Sequence, residues 1–412
     1  MEWFHKLKEE LKEQIVGKLP SDYEVDETKL WDTIDETIIE TGKEKPIPLQ
    51  VKRRLRQEIF DSLRRLDVLS EALEDESVTE IMVNGPDRIF VERGGRLELF
   101  PKHFDSREKL EDVIQQIVSR VNRRVNDATP IADARLANGD RVNVVLYPVA
   151  LNGPILTIRR FPKKTITMER LIQWNAITEE AAAYLRVLVE SGYNIFISGG
   201  TGSGKTTFLG ALCGYIPTDQ RVITIEDSAE LKLPWLPNLV QMEARAASVE
   251  GQYGITIRDL FKAALRQRPD RVILGEVRSG EAMDMIQVMN SGHDGSISTG
   301  HANSARDMLY RIETMALMGM DMPLMAIRRQ ICSAVDILVH LGRLRDRSRR
   351  VLSIEEITGI QEGEIQTHVL FRFQEEGEEH GKISGKLMWT GESLQFRDKL
   401  EQAGTQLPEL FL

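Results

Sequence analysis

The residues with the clearest chemical potential form a glycine-rich run from Asn194 to Thr207. Within this run, Gly199–Thr206 fits the spacing G-x-x-x-x-G-K-[ST], in which backbone N–H groups cradle phosphates. The lysine of such a loop reaches the terminal phosphates, and the hydroxyl that follows it holds Mg²⁺. The candidate nucleotide-binding residues are Gly199, Gly200, Thr201, Gly202, Ser203, Gly204, Lys205, Thr206 and Thr207, with Thr206 also a candidate metal ligand.

The flanks of this loop distinguish a phosphate site from a glycine-rich turn that matches by chance. Ile195–Ser198 has the pattern of a short buried strand, and Phe208–Cys213 continues as an apolar helix whose N-terminus favours anions. No Asn-Lys-x-Asp run that would read a guanine base is present. The sequence therefore predicts that the chain binds ATP, with Mg²⁺ as the accompanying ion.

Two acidic runs follow apolar strands. Glu226 ends the first and is a candidate to bind Mg²⁺ through water or to orient the attacking water, with a solvated loop as the alternative. Glu276 ends the second and can polarise a water for in-line attack on the γ-phosphate, while Arg278 can hold that carboxylate in place.

A histidine-containing run, Gly292–Asn303, comes next. Its two histidines are eight residues apart, and neither a cysteine nor a second histidine at i,i+4 completes a zinc ligand set. A neutral His301 beside the γ-phosphate can report the presence of nucleotide through a hydrogen bond. For His293 the alternative to a functional role is that of a structural histidine whose hydrogen bonds are satisfied within the fold.

The surrounding pattern alternates buried strands with helices, which predicts right-handed crossovers and a mainly parallel α/β sheet. The predicted strands are Asn194–Ser198, Arg221–Glu226, Arg271–Gly275 and Ser296–Thr299, and tail strands such as Val351–Ile357 and His368–Phe373 extend the sheet or pack beside it. A second helix before the phosphate loop is capped by Thr178.

Residues 51–160 have the pattern of a smaller α+β domain. A long helix is predicted over 51–69, and Asp105 with Glu108 has the spacing of a capping box. Ile131–Leu136 and Arg141–Leu146 flank Asn138-Gly139, which is a strong hairpin signal. The predicted divisions are an N-terminal helical segment (1–50), the α+β domain (51–160), a linker (161–168) and the ATPase domain with its C-terminal strands (169–412).

The first helix, over residues 3–19, is amphipathic, so it either packs on protein or lies on a membrane surface. The 412-residue chain has a net charge of −10 and only two distant cysteines, Cys213 and Cys332. This charge disfavours stable nucleic-acid binding, and the cysteine usage favours a reduced, cytoplasmic protein. No apolar run reaches the length of a membrane span, so we expect contact with a membrane through partners or a peripheral face.

Four ordered motifs together resemble the secretion ATPase superfamily of type II and type IV systems. They are the phosphate loop, Thr224–Asp227, the run from Arg268-Pro269-Asp270 to Gly275–Arg278, and Gly292–Asn303. The chain is most similar to the CpaF-type branch, which serves tight-adherence (Flp) pilus assembly, and the resemblance runs from about Val51 to the C-terminus.

The resemblance implies a RecA-like domain, assembly into a homo-hexameric ring, and a polytopic inner-membrane platform protein as partner. It also implies that Arg135 and Arg141 reach the phosphates, although the residues alone indicate only hairpin surface arginines. The expected function is a cytoplasmic, Mg²⁺-dependent ATPase motor, peripheral at the inner face of the membrane, that powers pilus assembly or secretion. A ring translocase acting on nucleic acid and a nucleotide-gated scaffold with little turnover are the alternatives.

Overall fold

The protein is described from a computed structural model, which covers residues 2–18, 27–64, 66–119, 124–136, 138–161, 165–245 and 254–411. The chain forms two compact units, Met1–Pro162 and Lys163–Leu412. Their boundary falls within the segment predicted as a linker, and residues 162–164 of that segment lie outside the described ranges. Residue 19, the last residue of the first predicted helix, also lies outside them.

The first unit begins with three helices, α1 (Glu2–Lys18), α2 (Glu27–Glu44) and α3 (Leu49–Arg64). They share a core of their own, in which Leu11 and Ile15 are fully buried and the rings of Trp31 and Phe60 stack 3.8 Å apart. The first helix therefore packs on protein. The predicted helix over 51–69 is wrong in length, because Asp67 adopts a left-handed φ of 52° and a separate helix, α4 (Leu69–Glu74), follows.

A six-stranded sheet completes this unit, with all described pairings antiparallel and the order β3-β2-β1-β6-β5-β4. Its elements are β1 (Val78–Asn84), β2 (Ile89–Arg93), β3 (Arg96–Leu99), α5 (Arg107–Ser119), β4 (Ile131–Arg135), β5 (Arg141–Val145) and β6 (Ile155–Arg159). The hairpin predicted around Asn138-Gly139 is confirmed as β4–β5. The predicted cap at Asp105 is wrong by one residue, because the Ser106 hydroxyl accepts the Lys109 N–H.

The second unit is organised around a nine-stranded sheet in the order β15-β14-β13-β12-β7-β11-β10-β8-β9. Its first half comprises α6 (Met168–Gln173), α7 (Glu179–Glu190), β7 (Ile195–Gly199), α8 (Lys205–Cys213), β8 (Val222–Glu226), β9 (Leu239–Glu243) and α9 (Ile257–Ala264). Its second half comprises β10 (Arg271–Val277), α10 (Glu281–Met289), β11 (Ile297–His301), α11 (Ala305–Gly319), α12 (Leu324–Ala334), β12 (Ile337–Arg343), β13 (Arg349–Gln361), β14 (Glu364–Glu379), β15 (Lys382–Trp389) and α13 (Asp398–Ala403).

The strands from β12 through β9 run parallel, and β13 to β15 add an antiparallel extension. The α/β fold with a mainly parallel sheet is therefore confirmed, and the tail extends the sheet rather than packing beside it. Thr178 caps α7, as expected, by accepting the Ala181 N–H. Separate hydrophobic clusters cover the two faces of the sheet, one including α7 and α8 and the other including α10 to α12.

This topology brings the carboxyl ends of β7, β11, β10 and β8 to one edge, which is where open α/β sheets bind ligands. Within the described ranges, no helix combines the length and apolar character needed to cross a membrane.

Candidate nucleotide-binding site

Three positions in the loop between β7 and α8 favour glycine, two for their backbone conformation and one for lack of space. Gly202 and Gly204 have φ values of 71° and 93°, in the left-handed region. A Cβ at Gly199 would lie 2.6 Å from the Leu341 carbonyl oxygen, so a side chain has no room there. The glycines of the sequence motif thus correspond to a turn and a close approach, and β7 beneath them is completely buried.

The polar groups of this loop fit a bound polyphosphate. The Lys205 ammonium donates to the carbonyls of Gly199 and Gly200, both at 3.0 Å. Ser203 has a buried hydroxyl without a hydrogen-bond partner among the described residues. Thr206 and Thr207 lie in the first turn of α8, where unpaired N–H groups favour anions. The ammonium, the Ser203 hydroxyl and the helix N-terminus supply the hydrogen-bond donors that phosphates require, and the hydroxyl oxygen of Thr206 is of the type that ligates Mg²⁺.

Glu276 lies near the end of β10, beside this loop. Its Oε2 accepts the Arg278 Nε–H at 2.9 Å, and Arg278 Nη1 lies 3.3 Å from Asp227 Oδ2. Its Oε1 lies 2.6 Å from His301 Nε2, although no described donor is aligned well enough to make a hydrogen bond to that oxygen. The carboxylate is therefore held between a guanidinium and an imidazole.

His301, the last residue of β11, connects the acid to the phosphate loop. Its Nδ1 lies 3.2 Å from Lys205 Nζ, while Nε2 faces Glu276. Burial lowers the pKa of His301 and Glu276 acts in the opposite direction. The Lys205 charge lowers this pKa further. A neutral ring matches the geometry, because Nδ1 then accepts from the ammonium and Nε2 carries the proton toward the carboxylate.

Glu226 has a different environment, although it too ends a strand. Its side chain is 3% exposed, and its Oε2 accepts the N–H groups of Glu230 and Leu231 at 2.8 and 3.2 Å. A Cβ at Gly275 would lie 2.8 Å from Glu226 Cγ, so the glycine makes room for the acid. These contacts fasten the loop that follows β8.

The histidine-containing run does not form one site. His293 lies in the turn that precedes β11, where its Nδ1 is 3.1 Å from the Ser291 hydroxyl, whereas His301 is the last residue of that strand. Sequence reasoning missed His340, whose Nδ1 lies 2.8 Å from the hydroxyl of Ser198, directly before the loop. The only signal for it was a single histidine in the apolar run that forms β12, a strand that was not predicted.

Arg135 and Arg141 lie in the first unit, directly opposite each other on β4 and β5. Arg159 of β6 is in turn opposite Arg141, so three arginines form one row across the sheet. The row concentrates positive charge at one place on the sheet, because side chains directly opposite each other on neighbouring strands are close together.

The fold and the loop together define a P-loop protein of the RecA-like α/β class. Residues 64–387 match the family described as "Type II/IV secretion system protein". This chain belongs to that family.

Individual relatives agree with this assignment. A putative conjugal transfer protein of Mycobacterium tuberculosis is 35% identical over 294 residues, which cover 70% of this chain and 83% of the relative. The type IV secretion system protein VirB11 of Brucella suis is 34% identical, covering 67% and 84% respectively. The X-ray structure of the ATPase DotB from Yersinia pseudotuberculosis matches with a TM-score of 0.51 at 16% identity, covering 73% of this chain and 80% of that one, and supports the fold.

Replacing Lys205 tests whether this loop is the nucleotide site. We expect Lys205→Ala to weaken ATP binding by about tenfold to a hundredfold, since it removes a charge-assisted contact with phosphate. Calorimetric titration measures the affinity. Lys262→Ala, an exposed lysine on α9, is the matched control and should bind as the parent does. Parent-like affinity in Lys205→Ala would mean that the nucleotide binds elsewhere.

Proposed function

We propose that this chain is a Mg²⁺-dependent ATPase motor that powers pilus assembly or protein secretion, most like the CpaF-type branch. The observation that carries this proposal is the series of contacts from Lys205 through His301 to Glu276, which joins the phosphate loop to a carboxylate. Such a series lets the presence of a phosphate change the surroundings of the acid.

The contacts suggest how hydrolysis begins. Phosphate oxygens of ATP compete with the carbonyls of Gly199 and Gly200 for the Lys205 ammonium. When the ammonium turns toward phosphate, His301 loses its Nδ1 partner and its Nε2–H is able to reorient toward the γ-phosphate. Glu276 then keeps Arg278 and gains a free oxygen for the attacking water.

Each residue has a distinct part in this proposal. Lys205 and the loop amides bind phosphates, Thr206 holds Mg²⁺, and Glu276 orients water. The ion would supply neutralisation of the charge that develops on the phosphates. Glu226 serves the reaction by fixing the loop that presents Asp227 to Arg278, consistent with its two backbone contacts.

Glu276→Gln separates binding from chemistry. An acid that positions water acts chiefly in the transition state, so we expect ATP affinity to stay within a few-fold of the parent. Turnover should fall by at least about a hundredfold. Steady-state phosphate release and a binding titration measure the two quantities, with Glu190→Gln on α7 as a control. Near-normal turnover in Glu276→Gln would refute the assignment.

The arginines of the first unit form the second part of the proposal. Phosphoryl transfer spreads negative charge over the γ-phosphate oxygens, and guanidinium groups that cover this charge are worth roughly a thousandfold or more in turnover. The opposed register of Arg135 and Arg141 allows both to address one anion. The small domain would then act as a lid whose closure couples hydrolysis to displacement.

We expect Arg135→Ala and Arg141→Ala each to lose most ATPase activity while the melting temperature stays close to that of the parent. Lysine should rescue poorly, because it lacks the planar fork of arginine. Arg96→Ala, on the opposite edge strand of the same sheet, is the matched control. If both variants hydrolyse ATP at the parent rate, the small domain is not a catalytic lid.

We further propose a hexameric ring that works against a polytopic inner-membrane platform protein from the cytoplasmic side. Sedimentation with Mg²⁺ and a non-hydrolysable ATP analogue should give a closed ring, and a monomer at micromolar concentration would contradict it. Relatives such as the putative conjugal transfer protein of Mycobacterium tuberculosis carry names of conjugal transfer, which favours a translocase on nucleic acid as the second candidate. The net charge of −10 disfavours it, and steeply salt-dependent DNA binding would support it.

A further inference from the structure

Asp140 lies at the centre of a hydrogen-bond network in the turn between β4 and β5. Its side chain is buried, with 2% exposure of the residue, although Asn138 two positions earlier is exposed. Asn138 Nδ2 donates to Asp140 Oδ2 at 2.8 Å, and the Asp140 N–H donates to Asn138 Oδ1 at 3.1 Å. The Phe161 N–H donates to Asp140 Oδ1 at 2.6 Å. A buried carboxylate requires such partners, so this turn has a defined geometry.

The same carboxylate pairs with Arg160, whose Nε lies 3.4 Å from Asp140 Oδ2, with both side chains almost fully buried. Arg160 Nη1 donates to three backbone carbonyls between α4 and the start of β1. They are those of Ala72, Asp75 and Val78, at 3.3, 2.7 and 3.4 Å. Asp140 therefore joins the turn to the last residues of the first unit and, through Arg160, to the rest of that unit.

This turn connects β4 and β5, the two strands that carry Arg135 and Arg141. The Leu136 N–H donates to the Asp140 carbonyl at 2.9 Å, and Arg141 follows Asp140 directly. Gly139 has a φ of 94°, and a Cβ there would touch the Phe161 side chain at 3.8 Å. A shift of Phe161 relative to the turn would therefore break contacts next to the ends of both strands.

We propose that Asp140 is a positioning residue that fixes the Arg135–Arg141 pair to Phe161, the point where the chain leaves the small domain. The hairpin and Phe161 then form one rigid piece, so a movement of Phe161 carries the guanidinium groups with it. This inference rests on the proposed role of the two arginines. Such rigidity matters because a misplacement of about 1 Å can cost about a hundredfold in rate.

Asp140→Asn tests the proposal with little change in shape. An amide NH₂ in place of a carboxylate oxygen faces the donors of Arg160 or Asn138, so the network loosens. We expect kcat to fall by about tenfold or more while ATP affinity stays within about twofold. Glu111→Gln removes another carboxylate–arginine pair of this unit, to Arg107 at 2.7 Å, and should leave turnover unchanged.

A double-mutant cycle separates positioning from general destabilisation. If Asp140 acts through the arginines, Asp140→Asn should reduce single-turnover phosphate release in the parent but hardly at all in Arg141→Ala. Equal fractional losses in both backgrounds would overturn the proposal. Parent-like turnover in Asp140→Asn, with Arg135→Ala and Arg141→Ala both impaired, would overturn this inference alone. Parent-like turnover in both arginine variants would overturn the lid proposal and this inference with it.

Should Asp140→Asn fail to fold, Asn138→Ala decides the question. This exposed residue contributes two of the bonds to Asp140, and its loss should lower turnover in the same direction by a smaller factor while the protein stays folded. Parent-like turnover in Asn138→Ala would then contradict the proposal.

Discussion

The candidate site depends on the register of three parallel strands. The pairing of β7 with β11 places Gly199 opposite His301, and the pairing of β10 with β11 places Val277 opposite Gly300. The phosphate loop, the histidine and the acid at position 276 therefore end at one level of the sheet. A slip of one residue in β11 would turn the His301 side chain to the opposite face, because strand side chains alternate. Backbone hydrogen bonds thus set the contacts among Lys205, His301 and Glu276.

Burial explains why two acids at similar strand ends have different surroundings. Glu226 is almost fully buried, and its side chain accepts hydrogen bonds from two backbone N–H groups. Glu276 is partly exposed and lies between Arg278 and His301, whose contacts involve side chains that are able to rotate. An acid that must exchange partners during a reaction fits the second environment, and an acid that must keep a loop in place fits the first.

The sequence predicted the parts of this architecture that rest on local pattern. Each of these features, namely the glycine spacing, the buried strands and the Asn138-Gly139 turn, depends on a few residues that are close in sequence. The structure contains each of them. The sequence did not reveal β12 and its His340, because an apolar run after a helix has no period that distinguishes strand from helix. The break at Asp67 was also missed, since no glycine or proline marks its left-handed backbone in the sequence. Contacts between distant residues, such as that of His301 with Lys205, have no local signature at all.

The small domain places three positively charged side chains next to one another on its sheet. Arg135, Arg141 and Arg159 lie in one row on three neighbouring strands, and Glu80 stands next to Arg159 at one end of that row. Like charges directly opposite one another repel, whereas the hydrophobic core of this sheet, to which α5 contributes, stabilises the small domain. An anion that approaches the row would relieve the repulsion while it gains three guanidinium partners. A row of opposed guanidinium groups on neighbouring strands is therefore suited to the anion-contacting role that we propose for Arg135 and Arg141.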